Sequence, residues 1–404
     1  MTHKRLLRIV TVGALAGLAL SACGTTSGGG STAGTASRAT PPAVAALKTL
    51  GAGEGQVNIL AWAGYAENGS TDPTVDWVTP FETKTGCKAN VQVADTSDSM
   101  FEKMGTGDFD VVSASGDSSL RMIYAGKVAP VTTDLLTNYA DVPDFQKMQA
   151  WNSVGGVAYG MPHGWGAQLL AYRTDKVSPA PDSWSTVFDP ASKYAGKITD
   201  YDSPTDGIAA AAVYLMSTKP DLKITNPYAL DKTQFDAAVA LLTAQQPQVA
   251  SYWASYADAQ KALENGSTEI GSTWQIIVNL AKADGAPVDS VLPKEGATGW
   301  ADTWMVDAKS PHPNCAYEWM NWVTTPQVQA QIAEWFGEAP ANVKACTLTT
   351  DPTHCDTFHA QDKGYFSKIW FWSTPQTDCL DGRTDVKCIP YSEWGKAWSS
   401  IKNG

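Results

Sequence analysis

The sequence predicts an α/β protein built as two lobes, and three observations lead there. Apolar runs of strand length alternate with segments of helical period over residues 57–126. The alternation restarts after Gly166 and runs to about residue 325. The stretch 57–404 is also longer than a single hydrophobic core usually organises, which favours two. Strands separated by helices pair in parallel and are covered on both faces. In such sheets ligands collect beyond the carboxyl ends of the strands.

Residues 57–62 read as a buried strand, and 75–85 as a helix with Trp77, Val78 and Phe81 on one face. A second strand follows at 88–93, a short helix at 98–104, a third strand at 109–112, and a helix at 118–125 that stops at Gly126. Trp62, with Tyr65 behind it, follows the first strand, and Ser115 and Asp117 follow the third, where a site belongs. Beyond Gly166, strands are expected at 168–172 and 197–201, a short helix at 184–188, and helices at 208–216, 235–244 and 257–264. Ser203-Pro204-Thr205-Asp206 has the form of a capping box, which requires a carboxylate near the first turn even without a ligand. A strand at 269–274 runs into a helix at 276–283, and 290–293 and 304–307 are strand-like. A helix covers 315–323, and Thr325-Pro326 is a cap and first turn for the next. Among the 16 tryptophans, Trp319/Trp322 and Trp394/Trp398 have helical spacing and read as core stripes, while Trp370/Trp372 are two apart.

The amino terminus is an export signal. Lys4, Arg5 and Arg8 precede an apolar run over 9–20 that is too short to span a bilayer as a helix. Leu20-Ser21-Ala22-Cys23 then resembles the lipobox of bacterial lipoproteins, which implies that Cys23 becomes the lipid-bearing first residue of the mature chain. Residues 24–55, rich in Gly, Ser, Thr and Ala, are expected to form a flexible tether, with at most a short helix at 43–50. No later run is long and apolar enough to cross a membrane, so the expected membrane contact is the anchor alone.

The formal net charge of −12 argues against a nucleic-acid partner. Six cysteines remain after Cys23, an even number that suggests three disulfides in an exported chain. Cys346–Cys355 and Cys379–Cys388 each close a short polar loop and are the preferred pairs, which leaves Cys87 and Cys315. No tandem Cys-x-x-Cys is present, so no metal is expected, and no cofactor either. A Gly-x-Ser-x-Gly elbow, a His-Glu-x-x-His pair and a phosphate-binding loop are all missing. A glycosidase carboxylate pair leaves no motif, and this keeps a surface glycosidase as an alternative.

Val291-Leu292-Pro293-Lys294-Glu295-Gly296 followed by Trp300-Ala301-Asp302 carries a family resemblance. Gly126, Gly164-Trp165-Gly166-Ala167, Ser183-Trp184 and Tyr194-Ala195-Gly196-Lys197 fall in the matching order. From about residue 57 to 342 the chain resembles the bacterial spermidine/putrescine-binding proteins, extracellular receptors of polyamine ABC importers. The resemblance implies a periplasmic-binding-protein-like (type II) fold, with hinge strands and a central ligand cleft. Lobe one would hold 56–166 plus 301–346, and lobe two 167–300 plus 347–404. The implied partners are a small amine ligand and an ABC permease with its ATPase, the receptor itself being a monomer.

An ammonium stripped of water needs carboxylates and acceptors around it, with aromatic faces along its methylenes. The resemblance puts Trp62, Tyr65, Trp274 and Trp300 at the family's aromatic positions. It makes Asp302 the main amine-binding carboxylate, Asp206 a second and Ser115 a hydroxyl. Departures are visible: Gly64 and Ser203 stand where acidic residues are usual, while Asp117 and Glu338 stand where aromatics are. A redistributed set of acids keeps a cationic ligand and opens the choice to a diamine, another amine or a zwitterion. The tryptophans would also suit a carbohydrate-binding receptor, the remaining alternative. His163 lies near the chain crossing with no evident partner.

Overall fold

The computed structural model describes residues 40–94 and 96–404; the export leader, Cys23 and tether residues 24–39 lie outside them. Residues 40–55 do not form the expected free tether or a helix at 43–50. They have no regular secondary structure and pack against the body, where the Leu47 carbonyl accepts from Thr132 Oγ1 at 2.6 Å and Gly51 N donates to Asn314 Oδ1 at 2.7 Å. Eight residues are too few to repay helix nucleation, whereas these contacts satisfy the backbone directly.

Three parallel strands open the fold: β1 (Gln56–Ala61), β2 (Lys88–Val93) and β3 (Val111–Ser115), with β1 central. A two-stranded hairpin, β4 (Ser153–Val154) with β5 (Val157–Ala158), precedes β6 (Met161–Arg173). A second parallel group follows, β7 (Ile198–Tyr201), β8 (Val249–Trp253) and β9 (Ile270–Trp274), with β7 central. Then come β10 (Val288–Val291), β11 (Ala297–Val306), β12 (Ala339–Pro340) and β13 (Ile369–Phe371). The sheet runs β2-β1-β3-β11-β6-β9-β7-β8. Two parallel groups thus flank the long strands β11 and β6, which pair antiparallel and pass between the two halves.

Helices α1 (Val78–Thr85), α2 (Ser97–Lys103) and α3 (Gly116–Tyr124) cover the first group. The second carries α4 (Ser185–Phe188), α5 (Pro204–Thr218), α6 (Lys232–Gln245), α7 (Tyr256–Asn265) and α8 (Gln275–Ala283). The chain then returns to the first group through α9 (Pro313–Val323) and α10 (Pro326–Phe336), whose Trp319 and Ile332 share a core with Val57, Ile59 and Phe81. It ends with α11 (His354–Thr357), α12 (Lys363–Phe366) and α13 (Tyr391–Asn403). Trp394 and Trp398 of α13 bury into the other core, with Leu170, Ile198 and Ala209, as their helical spacing requires.

Cys346 pairs with Cys355, Cys379 with Cys388, and Cys87 with Cys315. Gly53 crosses the last of these so closely that a Cβ there would fall 2.8 Å from Cys87 Sγ. Beside it Glu54 accepts from the backbone N–H groups of Asn314 and Cys315 in the first turn of α9, where a carboxylate complements the helix dipole.

Candidate functional site

The central strands set out the site by register. Gly164 of β6 lies opposite Asp302 of β11, and Gly166 opposite Trp300. Ser115 at the end of β3 lies opposite Asp302, and Trp274 at the end of β9 opposite Gln168. Paired residues, and residues two apart, share a sheet face. Ser115, Asp302, Trp300, Thr298, Gln168 and Trp274 therefore line one row across the middle of the molecule. Glycine leaves the room they need: a Cβ at Gly164 would fall 2.3 Å from the Glu338 carboxyl carbon, and one at Gly166 would fall 2.6 Å from the Trp300 ring.

At one end of the row four predicted residues meet. Asp302 accepts from Ser115 Oγ at 2.6 Å and from Tyr65 Oη at 2.8 Å, and Tyr65 Oη is 2.9 Å from Glu338 Oε2. A phenol has one proton, so it cannot donate to both acids. Burial and the neighbouring Asp302 charge push Glu338 well above the carboxylate range. Asp302 is raised to about 7, chiefly by burial, with Asp117 adding to the shift. Asp117, in the first turn of α3, accepts from Ser97 Oγ at 2.7 Å and is pushed up to about 6, mainly by burial. His163 also belongs here. Its Nδ1 accepts from Trp304 Nε1 at 2.9 Å, which leaves Nε2 protonated and 3.4 Å from Glu338 Oε1. Burial lowers its pKa to about 3, so the ring is neutral and the two do not form an ion pair.

From Tyr65 a chain of rings crosses to the other half: Phe336 at 4.6 Å, Trp300 at 5.7 Å, Trp274 at 6.4 Å, Tyr201 at 5.4 Å and Trp372 at 5.7 Å, each distance taken from the preceding ring. At the far end Asp206 is fully buried and accepts from Thr298 Oγ1 at 2.5 Å, Gln168 Nε2 at 3.1 Å and Trp372 Nε1 at 3.1 Å. Only half of the capping box forms: Ser203 Oγ accepts from Asp206 N, but the Asp206 carboxylate turns inward. Asp200 lies nearby, buried and raised to about 7 by desolvation and by Asp206.

The structure thus brings together Tyr65, Ser115, Asp117, Asp302 and Glu338, joins Trp274 and Trp300 to them through rings, and sets Asp206 at the opposite end. Trp62 stands apart from the ring chain. It packs against both cores of the first half, and its backbone N–H donates to Ser113 Oγ at 3.1 Å. Phe336, Tyr201, Asp200 and Trp372 were not read from the sequence as site residues. Asp200 and Tyr201 end a strand in the same way as Trp274, which was the available signal; Trp372 showed only its two-residue spacing from Trp370.

Acids raised in the folded state bind more protons there than when unfolded, so their contribution to stability is present near pH 4 and is lost as pH rises toward 7. The melting temperature of the ligand-free protein is therefore expected to fall between pH 5 and 8 relative to an Asp302→Asn variant. Parallel thermal scans would check this, and parallel curves would contradict it.

Residues 76–354 match the family described as bacterial extracellular solute-binding protein. The putrescine-binding periplasmic protein PotF of Escherichia coli (strain K12) is 27% identical over 325 residues, covering 75% of this chain and 82% of its own. SpuD of Pseudomonas aeruginosa, also named a putrescine-binding periplasmic protein, is 26% identical over 364 residues, covering 86% and 92%. A putative spermidine/putrescine ABC transporter protein from Listeria monocytogenes superposes with a TM-score of 0.70 at 19% identity, over 86% of this chain and 99% of that one. The fold is that of the periplasmic binding proteins, two α/β lobes joined by hinge strands. No helix among the described residues is long and apolar enough to cross a membrane. With a family match over residues 76–354, which take in both central strands and the whole second parallel group, the chain belongs to the bacterial extracellular solute-binding proteins.

Proposed function

We propose that this protein captures a small cationic amine of the putrescine and spermidine class between its lobes and delivers it to an ABC permease with its ATPase. One observation carries the reading. Asp302, Glu338 and Asp117 are buried close together, and among the described residues none of them forms an ion pair with lysine or arginine. Arg121 is near enough to lower Asp117 but pairs with Asp98. Buried carboxylates without a counter-ion are costly, and an ammonium removes that cost. The rings of Trp300 and Trp274 extend from this end and suit the methylenes behind the charge. The names of the relatives point to the same ligand class.

The lobes of this reading are 56–166 plus 301–346 and 167–300 plus 347–404, closing about β6 and β11. The ligand set is Trp62, Tyr65, Ser115, Asp117, Asp206, Trp274, Trp300, Asp302 and Glu338, with Trp62 the most peripheral. The receptor acts as a monomer held to the outer face of the membrane through lipid on Cys23. As a solute-binding protein it is not an enzyme, which removes the glycosidase alternative. A neutral sugar would leave the acids uncompensated, which counts against a carbohydrate receptor.

Titration calorimetry with putrescine, spermidine, choline and γ-aminobutyrate is expected to show binding of at least one amine. Because the cation favours the ionised acids, affinity should fall as pH drops from 8 to 5, by up to about tenfold per unit for each proton displaced. No heat with any amine, alongside tight binding of a sugar, would end the reading.

A further inference from the structure

The two ends of the row differ in what they offer a ligand. The Asp302 end has an excess of acids. The Asp206 end already has partners: its carboxylate accepts from Thr298, Gln168 and Trp372, three neutral donors. Trp372 comes from a segment beyond residue 354, where the family match stops. That segment is firmly placed. β13 runs beside Ala297–Gly299 of β11, and Trp372 N donates to the Gly299 carbonyl at 2.8 Å. Its ring stacks on Tyr201 at an interplanar angle of 11°. The Trp372 carbonyl presses on Gly116 so closely that a Cβ there would fall 1.8 Å from it, and Thr374 Oγ1 donates to the Asp117 carbonyl at 2.7 Å. The segment therefore runs alongside the row from Asp206 of α5 to Asp117 of α3, with the Trp372 indole directed at Asp206. Between the two acid ends, the indole N–H groups of Trp300 and Trp274 are buried and have no acceptor among the described residues.

From these contacts we infer that the site takes a ligand with a single ammonium, held at Asp302, whose other end is uncharged and accepts hydrogen bonds. Trp372 is the residue that sets this preference. A second ammonium at the far end would have to displace the Trp372 indole from Asp206 and would meet two further donors there. An acceptor instead satisfies the free indole N–H groups. An amino alcohol or an N-acylated diamine has this chemistry. A carboxylate has the acceptor but adds charge beside Asp206 and Asp200. The inference rests on the amine-binding reading above and narrows it.

Calorimetry on the full mature chain with 4-aminobutanol, N-acetylputrescine, putrescine and spermidine tests both separately. Absence of binding by all four defeats the amine reading itself. If amines bind, 4-aminobutanol or N-acetylputrescine should bind about tenfold more tightly than putrescine and spermidine. Trp372→Phe keeps the ring stack but removes the N–H, and should move that ratio about tenfold toward the diamine. Thr298→Val removes a second donor from Asp206 and should move it the same way. A purely structural Trp372 would weaken all ligands alike and leave the ratio fixed. Equal or tighter binding of putrescine or spermidine by the natural chain, or an unmoved ratio in both folded variants, overturns the inference.

Discussion

Asp302→Asn is expected to weaken amine binding by about 3–5 kcal/mol, the cost of leaving a desolvated ammonium without its ionic partner. Asparagine retains one acceptor oxygen, for either Ser115 Oγ or Tyr65 Oη, so one of the two local hydrogen bonds survives. The substitution also removes a carboxylate that burial already disfavours in its charged form. At pH 8 the ligand-free variant should therefore melt no lower than the natural chain, even though its binding is lost. Loss of affinity with retained stability marks a ligand contact, and calorimetry beside thermal scans would show both. Affinity kept to within about threefold would remove Asp302 from the ligand contacts.

The second large effect concerns the covalent frame. Cys87–Cys315 closes a loop of 228 residues, while the other two bridges each close one of 9. By the chain-entropy relation the long loop contributes roughly 5 kcal/mol and each short one roughly 2.5 kcal/mol. Replacing Cys87 and Cys315 together by Ser should therefore lower the unfolding free energy about twice as much as replacing either short pair. Denaturant titration of the three double variants measures the order directly. Equal losses would show that the denatured chain, rather than loop length, governs the effect. The long bridge also ties the turn between α1 and β2 to the start of α9, joining chain ends of the first core that lie far apart in sequence.

Much of the fold was legible in the residues. The strands at 57–62, 88–93 and 269–274 and the helices at 235–244 and 257–264 appear within a few positions, because their apolar period and capping residues agree with their final packing. The misses fall at the centre. The strand expected at 168–172 is the 13-residue β6, and the one expected at 304–307 is the 10-residue β11. Pro162, Gly164 and Gly166 in the first, and Gly299 and Asp302 in the second, break local strand preference. Pairing on both sides overrides that preference. The same residues make room for Glu338 and the Trp300 ring and supply the central acid, so local rules yield where the site is built. β8 was overlooked because it is short and only partly buried, with little alternation to mark it.

The candidate site was legible as a set of residue types placed after strands, and as acids moved to unusual positions. Its geometry was not. Tyr65, Asp302 and Glu338 share one proton network although they come from three distant parts of the chain. Nothing local in the sequence shows that the Asp206 carboxylate turns away from its cap toward an indole 166 residues later.

The sequence by itself determined the alternating strands and helices and the stock of acids and indoles, because periodicity, capping and composition act over a few residues. Only the tertiary structure decided which acids face one another, which of them burial drives above the ordinary carboxylate range, and that a C-terminal tryptophan donates to Asp206. Those outcomes depend on desolvation and on pairing between distant strands, and both come into being only when the chain has folded.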